Sequence, residues 1–92
     1  MSERKATVAS SSGLHARPAS LFAEAAGETG VEVTIAMDGA PADDAMDASS
    51  ILSLMTLGAE HGSVVVLRAE GEGADAALDT LVKLLETDLD AV

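Results

Sequence analysis

Apolar and polar residues alternate most clearly at 31–37, where Val31, Val33, Ile35 and Met37 fall on one side and Glu32, Thr34, Ala36 and Asp38 on the other. A period of two is that of a half-buried strand, so this segment is predicted as a strand with its polar face in water. A weaker alternation over 4–10 sets Ala6, Val8 and Ser10 against Lys5, Thr7 and Ala9 before Ser10-Ser11-Ser12-Gly13 interrupts it, and predicts a first strand and a turn. From Ala16 to Glu28 the period changes. Leu21, Phe22, Ala25 and Ala26 recur at helical spacing and Gly27 and Gly30 bracket the exit, which predicts the first helix. Asp38-Gly39-Ala40-Pro41 is turn chemistry, and 42–47 supports only a short strand at a sheet edge.

Ser49 or Ser50 is expected to cap a short second helix, because a hydroxyl there accepts from an unpaired first-turn N–H, and Gly58 supplies its stop. Ile51, Leu54, Met55 and Leu57 cannot all face inward on so short a helix, so some apolar side chains stay exposed; Ile51, Leu54 and Leu57 are assigned to the core. Over 63–69 a buried strand is predicted, with Arg68 placing Val64 and Val66 toward solvent and Val65, Leu67 and Ala69 toward the core. Ala77, Leu78, Leu81, Val82, Leu84 and Leu85 then form the stripe of a third helix, after which 87–92 is expected to fray. The order β-α-β-β-α-β-α implies an α+β open-faced sandwich whose largely antiparallel sheet carries the helices on one face.

Ninety-two residues suit one domain spanning 1–92. With one Phe and no Trp or Tyr, its core must be built from aliphatic side chains. Sixteen acids against five bases give a formal net charge of −11, which argues against a nucleic-acid partner. No run approaches the roughly 18 apolar residues that a membrane span requires, and no apolar leader opens the chain, so a cytoplasmic protein without membrane insertion is expected. The absence of Cys removes disulfides and thiol chemistry, and two His without Cys make a metal site improbable. No cofactor is implied.

Charge is missing from two windows of this acidic chain. No acid occurs between Glu3 and Glu24, while Arg4, Lys5 and Arg17 lie in that gap, and 48–59 has no ionisable side chain. The first window contains Gly13-Leu14-His15-Ala16-Arg17-Pro18-Ala19-Ser20, at the junction of strand and helix. There His15 would sit where unpaired backbone N–H groups and the positive helix end attract anions. Arg17 adds a guanidinium able to grip a phosphate, and Pro18 is tolerated in the first turn because its missing N–H had no helical partner. A residue before proline is pushed out of the α region, so an irregular first turn at Arg17 is expected. Positive surroundings favour a neutral, nucleophilic imidazole, and the chemistry implied is phosphoryl transfer onto His15.

The GLHARPAS segment resembles the phosphorylation motif of HPr, the histidine-containing phosphocarrier family of the bacterial sugar phosphotransferase system. Ser49-Ser50-Ile51-Leu52-Ser53-Leu54-Met55-Thr56-Leu57-Gly58 is similar to that family's second signature, and chain length and element order match as well. The resemblance implies a four-stranded antiparallel sheet covered on one face by three helices. It implies that His15 takes a phosphoryl group on Nδ1 from phospho-enzyme I and passes it to sugar-specific IIA components, a carrier with no turnover of its own. Arg17 would neutralise the phosphate, the N–H groups of Ala16 and Arg17 would hold its oxygens, and Ser12 would cap the approach. Partners would dock across Ala16, Ser20, Leu52 and Met55, and the protein is expected to act as a monomer. Ser50 aligns with a serine that a dedicated HPr kinase/phosphorylase modifies in Gram-positive relatives.

The chain also departs from the pattern. Its 38–47 connection is about four residues longer than usual, and Ser49 and Ser53 stand where some relatives carry basic residues. Three other functions share the same residues: a regulatory paralogue using the same histidine chemistry, a carrier for dihydroxyacetone phosphorylation, and a module that binds an anion without covalent transfer. His61, in a turn without basic neighbours, is assigned no role.

Overall fold

The computed structural model describes residues 2–89. Its elements run β1 (Ser2–Thr7), α1 (Ala16–Glu28), β2 (Val33–Met37), a 3-10 turn (Ala42–Asp44), β3 (Met46–Asp47), α2 (Ile51–Leu57), β4 (Val64–Ala69) and α3 (Ala74–Leu85). The four strands form one antiparallel sheet in the order β1-β4-β2-β3, which is the predicted open-faced sandwich. Central β4 pairs with β1 from Ser2↔Ala69 to Thr7↔Val64 and with β2 from Val33↔Ala69 to Met37↔Val65.

Register explains which side chains are buried. Ala6, Val65, Leu67, Ile35 and Val33 share the helix-covered face and join Leu14, Phe22, Leu54, Leu78, Leu81 and Leu85 in one core. The only aromatic residue, Phe22, is fully buried within it. On the open face, Glu3 bonds Arg68 across adjacent strands at 2.8 Å. Glu32 and Asp38 are exposed and Thr34 half-buried, as the alternation predicts, and the expectation is corrected at Val66 and Ala36, which are both buried. Lys5 lies opposite Val66 on β1, and its Nζ reaches Asp38 beyond the end of β2 at 3.2 Å, so its aliphatic stem must cross β4 over this row.

Other boundaries also shift. β1 begins at Ser2 rather than Arg4 and stops at Thr7, where the chain leaves the ladder toward the loop before α1. The third strand shrinks to two residues because the long connection spends 42–44 on a 3-10 turn. On α1 the buried face is Pro18, Ala19, Phe22, Ala23 and Ala26. Leu21 and Ala25 are instead half-buried and line a shallow depression beside Leu84, so the apolar stripe is rotated from the predicted one. Small alanines let the helix lie close to the core, while Leu21 turns to the α3 flank.

At α2 the structure decides between the two expected caps, and at α2 and the end of the chain two further expectations are corrected. Ser50, rather than Ser49, caps α2, its Oγ accepting from the Ser53 N–H at 3.3 Å, and Gly58 stops the helix with φ +72°. Ser49 serves the turn before it, donating its N–H and hydroxyl to Asp47 Oδ1 at 2.9 and 2.7 Å; these bonds hold the Asp47 carboxyl below its ordinary pKa. Only Leu54 of this helix is buried. Ile51 is 45% exposed and Leu57 is half-buried, because seven residues make two turns and can turn only one narrow edge inward. The expected fraying after α3 is contradicted at Leu89, which is buried among the described residues; residues 90–92 lie outside them.

Leu54 and Leu52 therefore give opposite outcomes. Leu54→Ala should lower unfolding stability by about 2–5 kcal/mol, the usual cost of an emptied leucine site. Leu52→Glu, at a side chain 78% exposed, should change it by less than about 0.5 kcal/mol. Urea titration of both variants checks the assignment, and a collapsed Leu52→Glu protein would return Leu52 to the core.

Candidate phosphoryl-acceptor site

Residues 8–15 have no regular secondary structure, so individual bonds fix their path. Val8 donates its N–H to Ser63 O at 2.9 Å and accepts from Gly62 N–H at 2.8 Å, extending the β1 contact into the 59–63 turn. Gly13 closes back on Ser10 O at 2.9 Å, and Leu14 N–H donates to Ala59 O at 2.9 Å. The fit at Gly13 is tight. Its φ is +75°, and a Cβ there would lie 2.5 Å from Ala59 O and 2.7 Å from Glu60 Cα, so only glycine lets the two loops meet. Leu14 is fully buried immediately afterwards, which anchors the loop to the core just before His15.

His15 is the N-cap of α1, with extended backbone at φ −130° and ψ 161°. Its side chain makes no capping hydrogen bond and is half-exposed. The irregular residue is Ala16 rather than Arg17: Ala16 has φ +49°, the only positive φ outside glycine among the described residues. Such a conformation costs an alanine on the order of 1–2 kcal/mol. It lies between two buried anchors, Leu14 and Pro18.

The first helical bond here runs from Ala19 N–H to His15 O at 3.4 Å. The N–H groups of Ala16 and Arg17 have no protein partner among the described residues, and Pro18 has no N–H to offer. No acid occupies the first turn. Arg17 is exposed and its guanidinium makes no ion pair or hydrogen bond among the described residues, whereas Arg4, Lys5 and Arg68 are all bonded to carboxylates. The arrangement thus collects two open amides, the positive end of a 13-residue helix and an uncommitted cation beside one imidazole.

The remaining candidates fall around this centre. Ser12 is exposed in the turn leading into Gly13. Ala16 and Ser20 are exposed on α1, Leu52 and Met55 on α2, and the two helices pack against each other. Ile51 joins this exposed apolar group, a residue that the periodicity had assigned to the core. His61 is exposed in the turn whose neighbours, Ala59 and Glu60, abut Gly13. What the residue pattern missed is the positive φ at Ala16 and the contact of Gly13 with the 59–63 turn. A glycine after three serines looks like any turn glycine until its neighbour across the fold is known.

Fold and site together define the class: small open-faced α+β proteins that present an imidazole at the positive mouth of a helix. The family model described as "PTS HPr component phosphorylation site" matches residues 2–87. The phosphocarrier protein HPr of Streptomyces coelicolor is 48% identical over 91 residues, covering 98% of this chain and 94% of its own, and that of Haloferax volcanii is 45% identical over 85 residues, covering 92% and 93%. A crystal structure of HPr-C-His from Thermoanaerobacter tengcongensis has a TM-score of 0.85 at 34% identity, covering 98% of this chain and 97% of that one. The chain belongs to the HPr family, the phosphocarrier proteins of the phosphotransferase system. It is a carrier rather than an enzyme.

Gly13→Ala tests the loop contact. The variant should lose about 1–3 kcal/mol of stability, the usual cost of a strained backbone, with the largest amide chemical-shift changes at Leu14 and at Ala59 and Glu60. An unchanged melting curve with unshifted Ala59 would mean that the two loops are not held this way.

Proposed function

We propose that the protein relays a phosphoryl group, accepting it on His15 from phospho-enzyme I and surrendering it to IIA components of sugar permeases. The observation carrying this reading is the half-exposed, unbonded His15 imidazole set beside the open amides of Ala16 and Arg17. In the first transfer the neutral ring uses its Nδ1 lone pair to attack phosphorus. A P–N bond to His15 forms as the donor's P–N bond breaks, and the departing donor imidazole keeps that electron pair. Charge on the phosphoryl oxygens is met by the two amides and by the Arg17 guanidinium, which act most strongly when the oxygens are spread in the transition state. Onward transfer is the same step in reverse with a new acceptor. Ser12 borders the approach.

Docking is assigned to Ala16, Ser20, Leu52 and Met55, joined by Ile51. Depletion of charge with exposed apolar side chains marks the core of an interface, and the 48–59 window lacks charge altogether. Arg17 stands at the edge of that surface, where it can serve both contact and chemistry.

Mixing the protein with enzyme I, phosphoenolpyruvate and magnesium should give one acid-labile phosphoryl adduct by mass. His15→Ala should abolish it without unfolding the chain. Arg17→Ala should slow the transfer on the order of tenfold, the worth of one charge-assisted hydrogen bond. An unmodified protein under conditions that label a known carrier would overturn the reading.

Ser50 is assigned a regulatory phosphorylation by a partner kinase, supported by its half-exposed hydroxyl at the N-cap of α2 and its place two residues from Leu52. A phosphate there adds roughly two negative charges to a neutral docking surface while favouring the helix it caps. Ser50→Asp should therefore slow His15 labelling at limiting enzyme I while leaving the melting temperature unchanged or higher. Equal labelling rates would remove Ser50 from control of docking.

A further inference from the structure

The loop before His15 has a second set of tethers, made by the residues ending and following α3. Ala9 N–H donates to Leu85 O at 3.0 Å. Leu89 N–H donates to Ser10 Oγ at 3.1 Å, and Ser11 donates its N–H and its hydroxyl to the two carboxylate oxygens of Asp88 at 3.4 and 3.2 Å. Ser10 is the only buried polar residue among the described residues, 1% exposed, and Leu89 beside it is also buried. A buried hydroxyl and a buried amide that bond each other cannot part without each losing its partner. Ser10 also receives the Gly13 N–H on its carbonyl, so the same residue ties the loop to itself and to the chain beyond α3.

We infer that Asp88 is a positioning residue for the phosphoryl acceptor, bracing the Ser10–Ser11 arm of the loop against α3. The inference rests on reading His15 as that acceptor. Two features give Asp88 this part. With no strand or helix between Val8 and Leu14, the height of His15 above α1 depends on how the two arms of the loop are held. One arm is held by Ala59 and the other by Asp88 and Leu89. The Asp88 carboxylate also occupies both donors of Ser11, so these are withheld from an arriving phosphoryl group. Its negative charge disfavours oxygens on that side, which leaves the amides of Ala16 and Arg17 as the place to land. Such a residue touches neither donor nor phosphate and acts through the loop that it holds at Ser11.

The experiment measures the single-turnover rate from phospho-enzyme I for the wild type, Asp88→Ala and Asp88→Asn, together with amide exchange. Asp88→Ala should lower the rate at saturating donor on the order of tenfold with KM unchanged, since misplacement away from the chemistry acts on orientation. Asp88→Asn, which keeps one carbonyl acceptor, should recover part of that loss. Exchange at Ser11 and Gly13 should accelerate in Asp88→Ala while the slowest core amides keep their protection. A saturating rate equal to wild type, a rise in KM alone, or unchanged exchange at Ser11 would each overturn the brace. If the wild type takes no phosphoryl group, the acceptor reading has failed; the exchange comparison still decides whether Asp88 holds the loop.

Discussion

The structure depends on a contact in which one side chain is absent. Gly13 lies so close to Ala59 and Glu60 that a single methyl would separate the loops, and the Leu14–Ala59 hydrogen bond forms only at that approach. The proposed acceptor site follows in the next five residues. Leu14 sinks into the core, His15 becomes the N-cap, Ala16 takes a left-handed turn and Pro18 enters the first helical turn already fixed at a helical φ. Loosening the glycine contact would leave α1 with its dipole and its open amides, but would free the arm of the loop that delivers His15 to the helix mouth.

The same economy governs α2. Two turns capped by Ser50 and stopped by Gly58 can bury one leucine, so Leu54 anchors the helix and Ile51, Leu52 and Met55 are left outside. A helix of this length would be marginal alone, and its stability must come from Leu54 and from packing against α1. Its exposed apolar surface is thus a consequence of shortness. In a chain with sixteen acids, the absence of any charge from 48 to 59 leaves that surface neutral, as the proposed docking requires.

Most of this was legible in the residues because local and global signals agree. The strand at Val33–Met37, the helix at Ala16–Glu28 and the Gly58 stop each combine periodicity with turn or cap chemistry, and the structure places them within a few residues of expectation. Failures came where a neighbour distant in sequence decides the outcome. Val66 is buried on the open face because Lys5 reaches across it to Asp38, and Leu89 is ordered because Ser10, 79 residues earlier, accepts its N–H. At Ile51 periodicity alone misled: an apolar residue in the first turn of a two-turn helix need not find a core. The candidate site was legible as a motif, but its geometry was not. The preference against α backbone before proline pointed to Arg17, whereas the positive φ sits one residue earlier, at Ala16.

Openness at His15 suits a relay better than enclosure would. A phosphate facing a guanidinium at about 4 Å gains roughly 4 kcal/mol per unit charge pair near a protein surface, and several times that as an upper bound in a dry interior. A buried cradle would therefore hold the group too well to pass it on, and a partner would have to open the fold to reach it. At the half-exposed mouth of α1, solvent limits the hold of each charge until a docking partner excludes water. In the proposed relay the same amides and Arg17 would then act more strongly on the spread oxygens of the transferring group. The acid-free stretch from Arg4 to Ala23 matters here because screening confines repulsion to about 8 Å at physiological ionic strength. A formal charge of −11 can thus coexist with a site that accepts a further anion, provided the nearest acids are kept at a distance or, like the Asp88 carboxylate on Ser11, already bonded.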